Sequence, residues 1–203
     1  MPRVIAGAAR GRRLGVPPGQ GTRPTSDRAR EALFSTLESL VTAWAGRRVL
    51  DLYAGSGAVG LEALSRGAAH ALLVEADPRA ARTISANVAA LGLAGAAVRH
   101  GRVERVVADG LPGPAYDVVF ADPPYDLADA SLAAVLADLR PALADGAVVA
   151  VERATRDASW AWPAGFEGLR SRRYGEATLW YGRATPDRPA PDPARPGVEE
   201  GPA

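Results

Sequence analysis

Hydrophobic positions along this chain follow two alternating rhythms. Val49 to Tyr53, Leu72 to Glu75, Ala97 to Arg99, Val118 to Ala121 and Val148 to Val151 are short, nearly continuous apolar runs, the pattern of strands buried on both faces. Between them, Val59 to Ser65, Arg79 to Leu91 and Ala130 to Leu139 read as helices, with a weaker helical turn near Val103 to Ala108. This alternation predicts a mostly parallel sheet covered on both faces, a Rossmann-like α/β layout. Gly168 to Tyr174 and Ala177 to Tyr181, split by Gly175-Glu176, predict an antiparallel pair at the end. Ahead of the sheet, Leu33, Leu37, Leu40, Val41 and Trp44 recur at three and four and predict a helix with one apolar face. Its start is read at Pro24-Thr25-Ser26-Asp27, with Thr25 or Ser26 as N-cap.

The two ends of the chain depart from this rhythm. Arg3 to Val16 suits a small hairpin outside the sheet, ended by Pro17-Pro18-Gly19. From about Ala184 the sequence is rich in Pro, Asp and Arg and has almost no large apolar residue, so burial cannot offset the entropy of ordering it. The expected organisation is a basic hairpin arm over 1–22, one main domain over 23–183 and a disordered tail over 184–203.

Composition narrows the chemistry. The 203 residues are 47% hydrophobic and 23% charged, enough for a core without disulfides or metal. The absence of Cys excludes a thiolate nucleophile and Cys-based metal sites, and with only His70 and His100 no bound metal is expected. No apolar run reaches the roughly 18 residues of a membrane span and Met1-Pro2-Arg3 opens no signal-like stretch, so a cytoplasmic protein, and a monomer, is expected. The net charge of +1 says little about partners. Its distribution says more: Arg3, Arg10, Arg12, Arg13, Arg23, Arg28 and Arg30 are opposed only by Asp27 within the first thirty residues, a cluster that can hold phosphates or simply be solvated.

Two segments carry candidate chemistry. Asp51-Leu-Tyr-Ala-Gly55-Ser-Gly57-Ala-Val-Gly60 lies where the first strand gives way to a helix, a tight turn that lets a ligand approach the backbone. Glu75 ends the second strand twenty positions after Gly55, where a carboxylate can accept from two ribose hydroxyls. Such a ribose occurs in both NAD and S-adenosylmethionine. Asp51 distinguishes them, because a carboxylate there opposes a pyrophosphate and favours the cationic methionine end of S-adenosylmethionine.

The fourth strand runs into Asp122-Pro123-Pro124-Tyr125. The prolines stiffen the backbone and remove two N–H donors, leaving carbonyls for a group that can only donate, such as an exocyclic base amine. That amine is a poor nucleophile until it pyramidalises. Hydrogen bonds from it to the Asp122 carboxylate and the Pro123 carbonyl favour that change, Asp122 or water can take the proton, and Tyr125 can stack on a flipped base.

With these motifs in place, the chain from Arg3 to Arg183 resembles the bacterial 16S ribosomal RNA guanine-N2 methyltransferases of the small subunit. The likeness extends to Arg3-Val-Ile-Ala-Gly, Arg10-Gly-Arg-Arg-Leu and Arg23-Pro-Thr-Ser-Asp-Arg-Ala-Arg-Glu-Ala-Leu-Phe34. It implies a seven-stranded S-adenosylmethionine-dependent methyltransferase sheet with an antiparallel last strand. Cofactor contacts are implied at Asp51, Gly55, Gly57 and Glu75, with Tyr53 and Ala76 beside them, and base contacts at Asp122, Pro123 and Tyr125. RNA contacts are expected from Arg10, Arg12, Arg13, Arg23, Thr25 and Arg28, and the implied partner is 16S rRNA in the small subunit or an assembly intermediate. One departure is that His100-Gly101-Arg102-Val103 offers no acidic or amide side chain after the third strand, so the adenine contact falls to backbone groups. A DNA amino methyltransferase uses the same tetrapeptide, but no recognition insertion interrupts this chain. A nicotinamide-dependent reductase and a non-catalytic RNA-binding module are the remaining alternatives.

Overall fold

The computed structural model describes residues 2–17, 27–155 and 160–186. Arg23, Thr25, the expected N-cap and most of the tail lie outside the described residues. The strands are β1 (Arg48–Leu52), β2 (His70–Glu75), β3 (Ala96–His100), β4 (Tyr116–Ala121), β5 (Leu143–Ala154), β6 (Phe166–Tyr174) and β7 (Ala177–Ala184). The helices are α1 (Asp27–Val41), α2 (Ala58–Ser65), α3 (Pro78–Leu91), α4 (Val103–Ala108) and α5 (Asp129–Leu139).

The strands form one sheet in the order β3-β2-β1-β4-β5-β7-β6. Those from β3 to β5 are parallel, and β7 inserts antiparallel between β5 and β6. The order reverses between β1 and β4, which makes the crevice beyond their carboxyl ends the switch point where such sheets bind ligands.

Side-chain alternation along the strands builds two cores. Val49, Leu73, Phe120, Val148, Leu179 and Tyr181 face α1, α2 and α3, while Leu50, Val74, Val119, Val149 and Val151 face α4 and α5. On α1, Leu33, Phe34 and Leu37 are at most 1% exposed, each contributing roughly 1.5–3 kcal/mol by burial. The sequence pattern carried this helix as far as Trp44, but it ends at Val41 because Thr42 takes a left-handed conformation with φ 66. Trp44 still reaches the core by turning back on Phe34, with ring centroids 5.4 Å apart. The strand expected at Val148 to Val151 is longer, running from Leu143 to Ala154 through a register shift against β4, with Gly146 at φ 77.

Residues 2–17 are held to the body of the fold. An antiparallel bridge joins Arg3 to Arg13, and Val4, Ala9 and Leu14 are buried. The buried Glu62 of α2 accepts the Ile5 and Ala6 N–H groups at 2.7 and 2.9 Å, and Ser65 Oγ accepts Ala9 N–H at 2.9 Å. A residue that reads as a polar interruption on a surface helix is therefore the dock for the first residues of the chain.

Candidate active site

The carboxyl rim holds two adjacent halves. On the first, strand alternation turns Asp51 towards α2, where its Oδ2 accepts Gly60 N–H at 2.8 Å. Burial pushes this carboxyl up to about 8, against the Gly60 bond that lowers it, and the neighbouring charges of Asp122 and Glu75 push the same way as burial. Glu75 Oε2 accepts Gly55 N–H at 2.8 Å and its Oε1 accepts Asp77 N–H at 2.7 Å. Each oxygen keeps capacity for a further donor.

Gly55 has φ 57, and a Cβ built on it meets nothing within 4 Å, so the turn presents open space over its backbone. Gly57, with φ 77, is needed for the opposite reason: a Cβ there falls 2.9 Å from Leu73 Cδ2 and 3.1 Å from Ile84 Cγ2, where the helix start closes on the sheet. Tyr53 leaves β1 with φ 59, and its hydroxyl lies 3.4 Å from Glu104 Oε1; burial first, and then this carboxylate, raises its pKa above the ordinary tyrosine value. Ala76 follows Glu75 along the rim, and His100 Nε2 lies 3.1 Å from the Ala76 carbonyl.

The second half begins at β4. Leu52 pairs with Ala121, and Asp122 N lies 3.5 Å from the Leu52 carbonyl, so the glycine turn and the Asp-Pro-Pro-Tyr segment leave the sheet side by side. Burial pushes the Asp122 carboxyl up to about 6. Pro123 is buried, Pro124 is exposed, and Tyr125 is 42% exposed. A turn closed by Leu127 N–H on the Pro124 carbonyl at 3.0 Å sets the direction of Tyr125.

Asp51, Tyr53, Gly55, Glu75, Ala76, Asp122, Pro123 and Tyr125 therefore share one rim. Of the basic residues of the N-terminal segment, Arg12 is directed away from it. Residues 5–9 dock on the end of α2 farthest from the glycine turn, and Arg12 donates to the Ala90 and Leu91 carbonyls at the far end of α3. Arg10 and Arg13 are exposed on the same segment. Arg28 sits on the first turn of α1, whose other end is tied to β7 by Arg183 Nη2 donating to the Leu40 carbonyl at 3.4 Å.

Two contributors were not singled out from sequence. Asn87 of α3 donates through Nδ2 to the Ser56 carbonyl at 2.9 Å and the Gly15 carbonyl at 3.1 Å, and its Oδ1 accepts Gly15 N–H at 2.8 Å. It fastens the glycine turn to the N-terminal segment; a buried amide on the apolar face of a helix was the available signal. Arg153, 4% exposed at the end of β5, donates to the Leu127 carbonyl at 2.8 Å and pairs with Asp129 at 2.7 Å, bracing the loop after Tyr125. A charged Glu152-Arg153 pair closing an apolar strand was its signal.

A family model described as conserved hypothetical protein 95 matches residues 2–183. Ribosomal RNA small subunit methyltransferase D of Escherichia coli K12 is 42% identical over 123 residues, 61% of this chain and 60% of that protein. The protein of the same name from Haemophilus influenzae is 38% identical over 125 residues, 61% of this chain and 63% of that protein. The chain thus spans about three fifths of the length of these curated relatives. Among solved structures, yhhF from Escherichia coli superposes with a TM-score of 0.76 at 34% identity, covering 90% of this chain and 97% of that one. A hypothetical protein of Thermus thermophilus gives 0.71 at 35% identity, covering 89% and 98%. With a match over residues 2–183, the chain belongs to the conserved hypothetical protein 95 family.

Proposed function

We propose that this chain is an S-adenosylmethionine-dependent methyltransferase acting on the exocyclic N2 of a guanine in 16S rRNA. One observation carries the reading: three carboxylates, Asp51, Glu75 and Asp122, stand at the carboxyl ends of the adjacent strands β1, β2 and β4, where Leu52 pairs with both Val74 and Ala121. A pyrophosphate site does not account for three acids gathered beside a glycine turn, because they oppose its charge, and ionising all three calls for a cationic or donating ligand. A ligand with a cationic end and a ribose compensates two of them, and a donor-only amine compensates the third.

S-adenosylmethionine fits the residues present and, when bound, supplies an electrophilic methyl. Asp51 faces its cationic methionine end, Glu75 accepts from its ribose hydroxyls, and the open backbone at Gly55 admits it between them. Gly57, Tyr53 and Ala76 shape the rest of that half. On the other half, the Asp122 carboxylate and the Pro123 carbonyl accept the two hydrogens of the base amine, so that its lone pair becomes available. The Asp122 carboxylate or water then takes the proton that the methylated nitrogen loses. Tyr125 stacks on the base and holds it in line, where positioning contributes several kcal/mol.

The substrate is 16S rRNA in the small subunit or an assembly intermediate, in keeping with the small-subunit ribosomal RNA named for the relatives. Mass spectrometry of small-subunit RNA from cells with and without the gene tests the reading. One N2-methylguanosine is expected to disappear and to return with the wild-type gene but not with Asp122→Ala. Unchanged RNA, or an altered methyladenine or methylcytosine in DNA, overturns it.

A further inference from the structure

The rim continues past the acceptor half. Beyond β5 it crosses β7 and ends at the edge strand β6, where residues 167–173 are exposed. This strand carries Arg170, Arg172 and Arg173. Arg170 pairs in register with Tyr181 and Arg172 with Leu179, both in the core under α1, so these two stand on the α1 face. Arg173 pairs with Thr178 on the opposite face, and its Nε donates to the Gly175 carbonyl at 3.2 Å. None of the three enters an ion pair among the described residues, whereas Arg47, Arg66, Arg140 and Arg153 all have carboxylate partners.

Position gives these cations a direction. β6 runs towards the rim, and its turn is tied to the end of β5 by Thr155 N–H on the Glu176 carbonyl at 2.7 Å and Thr155 Oγ1 on the Gly175 carbonyl at 3.2 Å. β6 lies three strands from β4, about 14 Å at ordinary strand spacing, a few phosphates from a base seated at Asp122. The β1–β2 side of the rim belongs to the glycine turn and Glu75, and the Arg12 guanidinium is spent at the far end of α3. Among the described residues, the two large apolar side chains left exposed, Tyr125 and Leu169, also lie on the β4-to-β6 side.

We propose that β6 is a phosphate-binding edge, on which Arg170, Arg172 and Arg173 hold the RNA backbone flanking the nucleotide at Asp122. The RNA substrate is the one proposed above, on which this inference rests. Charge on an edge strand also discourages strand addition, but either sign serves that purpose. Phosphate requires a cation, and the guanidinium fork matches its oxygens.

The difference in sign supplies the test. Binding of the full chain to small ribosomal subunits from cells lacking the gene is measured against salt for R170E/R172E/R173E and R170K/R172K/R173K, with Arg82→Glu on α3 as a remote charge control. Both triple variants keep the edge charged. The Lys variant is expected to bind within about threefold of wild type, and the Glu variant on the order of tenfold or more weaker with a log–log salt slope shallower by about 2. S-adenosylhomocysteine affinity is expected to be unchanged in both, and the Arg82 control to bind subunits normally. Should the Glu variant lose S-adenosylhomocysteine binding, R170Q/R172Q/R173Q carries the same comparison. A Glu or Gln variant that binds subunits with wild-type affinity and slope, while the wild type methylates them, overturns the edge assignment alone. A wild type that neither binds nor methylates subunits overturns the proposed function and this inference together.

Discussion

The two halves of the rim differ in what their polar groups do before any ligand arrives. On the glycine-turn half they are engaged with the protein itself: Glu75 holds Gly55 and Asp77, Asp51 holds Gly60, and Asn87 holds Ser56. On the acceptor half the segment leaving β4 carries two prolines that donate nothing and a tyrosine 42% exposed, and Arg153 braces the loop beyond them. The first half is arranged in advance, so a ligand there meets little ordering cost. Under the proposed function the second half is completed by the substrate, whose base amine donates to Asp122 and Pro123 and whose ring stacks on Tyr125.

Substitutions should separate the halves, beginning with the largest effect. Asp122→Ala removes the acceptor for the amine and is expected to lower kcat by about 10²- to 10⁴-fold, with S-adenosylhomocysteine affinity by calorimetry unchanged. Loss of cofactor affinity of similar size would erase the distinction between the halves. Tyr125→Ala removes a stacking surface worth about 1–3 kcal/mol, which single-turnover assays should register as weaker RNA binding with intact cofactor binding. Asn87→Ala leaves Gly15 and Ser56 without their partner and is expected to cost about 1–3 kcal/mol in denaturant unfolding. It should also weaken cofactor binding, the mirror image of Tyr125→Ala.

A proton count sharpens the contrast. Asp51 sits at about 8 in the free protein and is therefore mostly protonated at pH 7. A cationic ligand favours its ionised form, so binding of S-adenosylmethionine at pH 7 is expected to release up to one proton, and progressively less as pH rises above 8. Calorimetry in buffers of different ionisation enthalpy reads this directly, and proton uptake would contradict it. The proposed role of Asp122 requires its ionised form, and with its carboxyl pushed up to about 6, methyl transfer should fall as pH drops through that value.

Sequence was most informative where backbone and chemistry require the same residue. The apolar runs located all five parallel strands but drew β2 to β5 short, by one or two residues at β2, β3 and β4 and at both ends of β5, because a buried strand interior is written in apolar residues while strand ends and the half-exposed β3 are not. Gly55, Glu75 and Asp122 were legible as motif residues, since a tight turn and a strand-end carboxylate each restrict the amino acid allowed. Features that depend on contacts between distant segments were not. Glu62 reads as a surface helix residue until the Ile5 and Ala6 N–H groups reach it across more than fifty positions. Arg12 reads as a free cation until the end of α3 is beside it. Arg153 reads as the polar end of a strand until the loop after Tyr125 folds back. Arg170, Arg172 and Arg173 acquire meaning only from the strand order, which puts β7 rather than β6 next to β5.

Diffraction from crystals grown with S-adenosylhomocysteine tests the shared rim most directly. The ribose hydroxyls are expected on Glu75, the amino acid end beside Asp51, and the sulfur turned towards the Asp122 carboxylate with room for one methyl and one amine between them. A ligand whose ribose avoids Glu75, or whose sulfur opens away from Asp122, would contradict that arrangement.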